Sequence, residues 1–298
     1  MIPQMRGRGA DAIALAVAMA LLPGILCAAI YIPANANISP EADVALIVAV
    51  DVSQSVDEQR YRLQMEGIAQ ALEDPGVISA ITNGANANIL FTMIAWADAA
   101  KPVLDWTRIA SKEDAYTVAA HVRRLPHTGG EFTCIARMLR GVALRIIPEI
   151  PLNAQRVVLD VSGDGIDNCS DRDALHEERD RVLSLNATIN GLPIIVRGEN
   201  ETVGAGAYRA PGFGLRELSQ RPDKDSTTLD HWFKEHVIGG PGAFLMAAQG
   251  YADFGRALRQ KFVTEISGTT ECTAALPHCV MLTKERRIAG GVEFVNTN

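Results

Sequence analysis

The 298-residue chain has few aromatic residues, 5% of the total, and no excess of basic ones: 28 lysines and arginines face 35 aspartates and glutamates, a formal net charge of −7. A nucleic-acid binder presents a basic face, and a platform for stacking bases needs aromatic rings. Both are disfavoured, and no nucleic-acid partner is expected. No C-x-x-C pair occurs among the five cysteines, so the spacing of a structural zinc site is missing. There is no G-x-S-x-G nucleophile elbow and no G-K-[ST] phosphate loop, which removes the usual signs of a serine hydrolase or a P-loop nucleotidase.

What is present begins with an exported character. Arg6 and Arg8 precede the apolar run 12–22, which Pro23-Gly24 interrupts, and small residues including Ala34-Asn35-Ala36 follow. A basic start, an apolar middle and an A-x-A-like end describe a secretory signal. Residues 1–36 are therefore expected to be a signal peptide, cleaved after Ala36 or near Ala29, or else an uncleaved N-terminal anchor in the inner membrane. No later stretch is long and apolar enough to span a bilayer. The remainder is expected to be exported, either periplasmic or secreted. Without Cys27 four cysteines remain, an even number that suggests disulfides in such a compartment. Cys272 and Cys279 are close enough in sequence to close a short loop. Cys134 and Cys169 can pair only if their two loops meet.

The central part alternates two periodicities. "DVALIVAV" (43–50), "NILFTMIAWA" (88–97) and "RVVLDVSGD" (156–164) are near-continuous apolar runs, as strands buried on both faces are. "PVLDWTRI" (102–109) is placed to return antiparallel beside the second, and "ATINGLPIIVRG" (187–198) and "AFLMAAQ" (243–249) complete six strands. Helical spacing covers 57–73, where Asp74-Pro75-Gly76 stops it, and also 111–124, 134–147, 170–185 and 251–265. Strands alternating with helices predict one α/β domain over 43–266: a doubly wound, mostly parallel six-stranded sheet with helices on both faces. Residues 198–226 read as a long surface loop, and the tail 267–298 has no long period.

Ligands of such sheets sit beyond the carboxyl ends of the strands. Three segments should meet there: Asp51-Val-Ser53-Gln-Ser55, Gly129-Gly130-Glu131-Phe132-Thr133, and Ser162-Gly163-Asp164-Gly165. Two carboxylates among several hydroxyls form a hard oxygen set, suited to Mg²⁺, Mn²⁺ or Ca²⁺ rather than to a soft metal. Taken singly, each segment has an ordinary explanation. Ser55-Val-Asp-Glu58 is also a capping box, and Asp164-Gly165 is also a tight turn. A second reading takes "SGDGIDN" (162–168) as similar to the G-D-G-x-N-D turn of haloacid dehalogenase-type, Mg²⁺-dependent phosphohydrolases, with Asp51 as nucleophile. That chemistry needs an acid two residues further on, where this chain has Ser53.

The ordered set D-x-S-x-S, a later threonine after Gly-Gly, and a strand ending in S-G-D-G resembles the von Willebrand factor type A domain and its metal-ion-dependent adhesion site. "INGLPI" (189–194) and "VIGGPGAF" (237–244) look more specifically like an uncharacterised family of exported bacterial proteins with that domain. The resemblance implies a Rossmann-like fold and a metal held by Asp51, Ser53, Ser55, Thr133 and Asp164. It also implies a non-catalytic function, in which the cation accepts a carboxylate from a protein or ligand. The second segment departs from the pattern, because Glu131 follows the two glycines and Thr133 comes two residues later. Thr133 is preferred because a hydroxyl keeps the cation electrophilic, and Glu131 is the alternative, since a carboxylate there would add negative charge and weaken capture of an acidic partner. A purely stabilising metal is a further reading. Cys134 and Cys169 flank two of the three segments, so a disulfide between them would clamp the rim.

Overall fold

The computed structural model describes residues 41–204 and 226–268, together with the backbone of 279–281, 287–288 and 291–292. The signal or anchor segment and Cys272 lie outside the described residues, and of Cys279 only the backbone is described. The proposed Cys272–Cys279 loop therefore falls outside them too.

The first apolar run forms β1, Ala42–Asp51, buried at every position. It is hydrogen-bonded in parallel to β2 (Ile89–Trp96) on one side and to β4 (Ala154–Gly163) on the other. From β2 the chain folds back antiparallel as β3, Ala100–Ile109, in the register expected of a short hairpin. Beyond β4 lie β5 (Ala187–Pro193), parallel to it, and β8 (Phe244–Met246), parallel to β5. Two two-residue strands, β6 (Thr202–Val203) and β7 (Thr227–Thr228), pair with each other near the two ends of the predicted 198–226 loop. The sheet order is β3-β2-β1-β4-β5-β8-β9. The last member, β9 (Cys279–Met281), comes from the tail and runs antiparallel to β8. The sheet thus has seven strands: the expected six, plus one whose backbone pairing no local pattern announced.

Helices cover both faces. On one, α1 (Glu58–Glu73), α2 (Pro75–Thr82), α3 (Lys112–Val122) and α7 (Phe254–Ser267) bury Tyr61, Ile68, Leu72, Phe254 and Phe262 against Val44, Leu46, Val48 and Val50. On the other, α4 (Ile135–Gly141), α5 (Arg172–Ser184) and α6 (Leu229–His236) pack Leu139, Leu175 and Phe233 against Ile47, Ala49 and Leu159. The alternation along β1 gives each face its own apolar set. Among the described residues no helix is long and apolar enough to cross a membrane.

The structure departs from the sequence reading at three places. Asp74-Pro75-Gly76 does end α1, but it also starts α2: the Asp74 carboxylate caps the Gly76 and Val77 N–H groups, and Pro75 takes the first helical position. The helix expected over 134–147 is α only to Gly141, and a π-turn (Val142–Ile146) and a 3-10 turn (Ile147–Glu149) carry it into Ile150. β5 ends at Pro193 rather than at Gly198, and past it only the Ile194 N–H to the Gly163 carbonyl and the Ile195 N–H to the Ala248 carbonyl carry the pairing on before the chain turns away.

A motif in β5 explains itself through packing. Asn190 is buried, donates to Glu265 Oε1 at 2.8 Å and accepts from the Phe244 N–H at 3.0 Å, tying β5 to α7 and β8. Gly191 leaves room for Ile238 and Phe233, whose carbons would lie 3.0 and 3.2 Å from an added Cβ.

Candidate metal centre

The chain runs from β1 outward to β2 and β3 in one direction, and to β4, β5 and β8 in the other. Strand order reverses between β1 and β4, and the crevice beyond their carboxyl ends is where a doubly wound sheet takes its ligand. Asp51 is the last residue of β1, and Gly163-Asp164 closes β4 beside it. The first and third sequence segments therefore meet at the switch point.

Within the first segment, Asp51 Oδ1 accepts the Ser53 N–H at 2.8 Å, which turns the backbone and brings both serines round to the same side. Ser53 Oγ and Ser55 Oγ are 3.2 Å apart. The Ser55 hydroxyl donates to Asp164 Oδ1 at 2.7 Å. Asp51 and Ser53 are buried, whereas Ser55 is exposed. Below them Gln64, buried on α1, donates to the Asp51 carbonyl at 3.1 Å.

The second segment hangs from the end of β2. Asp98 accepts the N–H groups of Glu131 and Phe132, at 3.1 Å each, and the Cys134 N–H reaches the Ala97 carbonyl. Gly129 adopts φ +62°. At Gly130 an added Cβ would sit 2.2 Å from the Ala97 Cβ, so that position has to be glycine for the loop to lie this close. The backbone turned in this way buries Thr133, while Glu131 is exposed.

The third segment is stitched to the second. Asn168 Oδ1 accepts the Thr133 N–H and the Asn168 N–H donates to the Thr133 carbonyl, at 2.9 and 3.1 Å. Asp167 accepts from Ala136 in the first turn of α4 and from Cys169 and Ser170. Cys134 and Cys169 are joined by a disulfide across the same seam.

The two carboxylates stand in different surroundings. Asp164 is well supplied: besides Ser55 it accepts the Tyr251 hydroxyl on Oδ2 at 2.9 Å, and the Arg60 guanidinium lies 3.6 Å from that oxygen. Asp51 Oδ2 is fully buried and has no partner. Burial, and then the charge of Asp164, push the Asp51 carboxyl up to about 8. The same causes, burial first, hold the Tyr251 hydroxyl far above its ordinary range, so it is a donor at any working pH. Sequence reasoning passed over Tyr251, Arg60, Asn168 and Asn200. Asn200 donates to the Asp164 and Ile194 carbonyls and accepts the Val196 N–H, holding the third loop from behind.

A hard cation fits this arrangement. An unpartnered buried carboxylate oxygen facing a second carboxylate is a site of uncompensated negative charge, and the neighbouring donors are hydroxyls. Among the described residues no group of three or more His, Cys, Asp or Glu is placed to hold a metal. Any ion held here would therefore rest on two carboxylates and on hydroxyl oxygen, a set for Mg²⁺, Mn²⁺ or Ca²⁺.

The profile of a family described as protein of unknown function (DUF1194) matches residues 41–270. The chain belongs to that family. No curated protein gives a significant match to it. Among solved structures, this DUF1194 chain is similar to proximal thread matrix protein 1 from the mussel byssus, with 11% identity over 77% of this chain and 48% of that one and a TM-score of 0.51. A form of the same mussel protein with a zinc-occupied MIDAS motif (metal-ion-dependent adhesion site) has 15% identity over 77% and 50% of the two chains, with a TM-score of 0.45. A von Willebrand factor type A protein from Catenulispora acidiphila has 15% identity over 76% and 43%, with a TM-score of 0.49. The chain spans about half the length of these structures or less. At 11% identity the first likeness is one of fold. That shared fold is the mostly parallel sheet with helices on both faces described above.

Proposed function

We propose that this DUF1194 domain is a non-catalytic binding module of the bacterial cell envelope that works through a divalent cation. The observation that carries the reading is Asp51 Oδ2, a buried carboxylate oxygen without a partner, at the switch point of the sheet and among the hydroxyls of Ser53 and Ser55. Asp51, Ser53, Ser55, Thr133 and Asp164 would hold the ion. Glu131 is the alternative to Thr133. Its exposure argues against it, as does the turn that buries Thr133 next to Gly165, where an added Cβ would lie 3.5 Å from Thr133 Oγ1. Mg²⁺ is the preferred ion, with Mn²⁺ and Ca²⁺ as alternatives. When bound, the ion supplies an electrophilic position that a carboxylate of a protein or ligand partner can fill. The residues of the chain do the rest: Asp51 and Asp164 balance the charge, the hydroxyls add neutral donors, and Asp98, Asp167 and Asn168 fix the loops.

The basic-apolar-small leader supports placing the domain outside the cytoplasm, and so does the Cys134–Cys169 disulfide, which an oxidising compartment preserves. The phosphohydrolase reading has no general acid in this geometry, because Ser53 occupies the position two residues after Asp51 and its hydroxyl lies against Ser55.

The test is calorimetric titration of the purified chain with Mg²⁺, Mn²⁺ and Ca²⁺, beside Asp51→Ala and Glu131→Thr. Binding in the parent that disappears in Asp51→Ala and persists in Glu131→Thr is the expected result. A parent that shows neither heat nor thermal stabilisation with any of the three ions would refute the cation site. Hydrolysis of a generic phosphate ester that Asp51→Asn abolishes would replace the binding reading with the enzymatic one.

A further inference from the structure

Arg60 is the one guanidinium found against the candidate site among the described residues. It lies in the first turn of α1, nine positions after Asp51, and is held from four directions. Nη1 donates to the Ser55 carbonyl at 3.0 Å. The same nitrogen is 3.6 Å from Asp164 Oδ2, an ion pair without a direct hydrogen bond. Nη2 binds both carboxylate oxygens of Glu199, at 2.8 and 2.7 Å. The guanidinium also sits over the Tyr251 ring, 5.2 Å from its centroid, while the Tyr251 hydroxyl donates to Asp164. Its side chain is 23% exposed, against 4% for Asp164 and 53% for Glu199.

This places a fixed positive charge on the acid of the third loop and none on the acid of the first. Asp164 shares its charge with Arg60, and Arg60 shares its own with Glu199. A divalent ion entering between Asp51 and Asp164 meets the guanidinium as a like charge, and it competes with it for Asp164. Glu199 works in the opposite sense, because it holds Arg60 at an outer position and drains its charge.

We propose that Arg60 is a resident counter-ion of the cation site, that it sets the site's affinity by competing with the metal for Asp164, and that Glu199 tunes this competition from outside. The inference rests on the cation-binding reading above and assigns its regulation to a residue outside the ligand set.

The two residues should then act with opposite signs, which loss of structure would not produce. In calorimetric titration of the purified chain with MgCl₂ and MnCl₂ at low ionic strength, Arg60→Gln should bind about tenfold more tightly. That is the size expected of one charge a few ångströms away in a partly solvated site. Arg60→Lys should stay near the parent. Glu199→Gln, an exposed and mild change, should bind several-fold more weakly, because its removal leaves Asp164 as the nearest acid for Arg60. The gap between Arg60→Gln and the parent should narrow in 0.5 M NaCl. Equal or weaker binding by Arg60→Gln in a chain with parent-like circular dichroism, or tighter binding by Glu199→Gln, would overturn the inference and leave the site itself standing. If neither the parent nor Arg60→Gln binds either ion, the cation site is refuted and this inference with it.

Discussion

Reducing the Cys134–Cys169 bond should lower both the stability of the domain and its affinity for a divalent cation. The bond joins residues 35 apart in sequence. Closing a loop of that length removes chain entropy from the unfolded state worth about 4 kcal/mol in the loop-closure model. The segment it encloses contains α4, the π-turn and β4, so the benefit concerns the whole central sheet. The bond also has a local effect. Cys134 directly follows Thr133, and Cys169 is five residues beyond Asp164, so the link ties the second loop of the candidate site to the third. Hydrogen bonds from Asn168 and Asp167 hold the same seam, so reduction should loosen it without dissolving it. The assay is urea unfolding of oxidised and dithiol-reduced protein and of the Cys134→Ser/Cys169→Ser double variant, each with EDTA or with Mg²⁺. We expect the reduced protein and the double variant to agree with each other, to lose about 2–4 kcal/mol, and to gain less from Mg²⁺ than the oxidised chain. Identical midpoints for oxidised and reduced chains, in EDTA and in Mg²⁺ alike, would refute the argument that this link holds the rim together.

Two further consequences follow from buried groups. Lys261 is fully buried between Asp160, at 2.7 Å, and Glu265. Burial, then the charge of Asp160, lifts the Glu265 carboxyl from 4.5 to about 7. Its contribution to stability is therefore complete below 4.5 and is lost as pH rises through about 7, at up to about 1.4 kcal/mol per pH unit. Urea midpoints at pH 5 and pH 8 should consequently differ less in Glu265→Gln than in the parent, and an unchanged difference would count against the assignment. At pH 8, Lys261→Met should cost about 3–5 kcal/mol by stranding two carboxylates in the core, a value read from the same unfolding curves. Gly130→Ala drives a Cβ to 2.2 Å from the Ala97 Cβ. It should displace the second loop and weaken Mg²⁺ binding in calorimetry far more than Glu131→Ala, whose side chain points to solvent.

The order of strands and helices was legible because each apolar run carries its own period. β1 is apolar on both faces and β4 nearly so, with Asp160 as its one buried charge, and this marks them as central parallel strands. The switch point was legible for a related reason: Asp51 and Asp164 interrupt such runs at their carboxyl ends, where burying a charge needs a reason. The signals that failed are those with two meanings. Asp74-Pro75-Gly76 ends one helix and starts the next with the same atoms, and a reading that looks for a stop finds only the stop. β9 comes from a tail without periodicity, and its backbone pairs antiparallel with β8, so no local pattern announced it.

The choice between Glu131 and Thr133 shows where the limit of sequence reading lies. Spacing after Gly129-Gly130 pointed to Glu131 and the chemistry of a hydroxyl to Thr133, and the direction of each side chain depends on how far the loop is turned. That turn is set by Asp98 taking two consecutive N–H groups and by the absence of a Cβ at Gly130. Both causes lie in contacts with the end of β2, more than thirty residues upstream. Tyr251 and Arg60 were hidden in the same way. Tyr251 follows β8, two strands from β4 in the sheet, and Arg60 reads as one more charge on a polar helix face. Only the closing of the sheet brings them together at the same carboxylate oxygen of Asp164. The candidate residues at a switch point can thus be located from strand ends, whereas the charged and hydroxyl groups around them come from neighbouring strands and helices and have to be sought there.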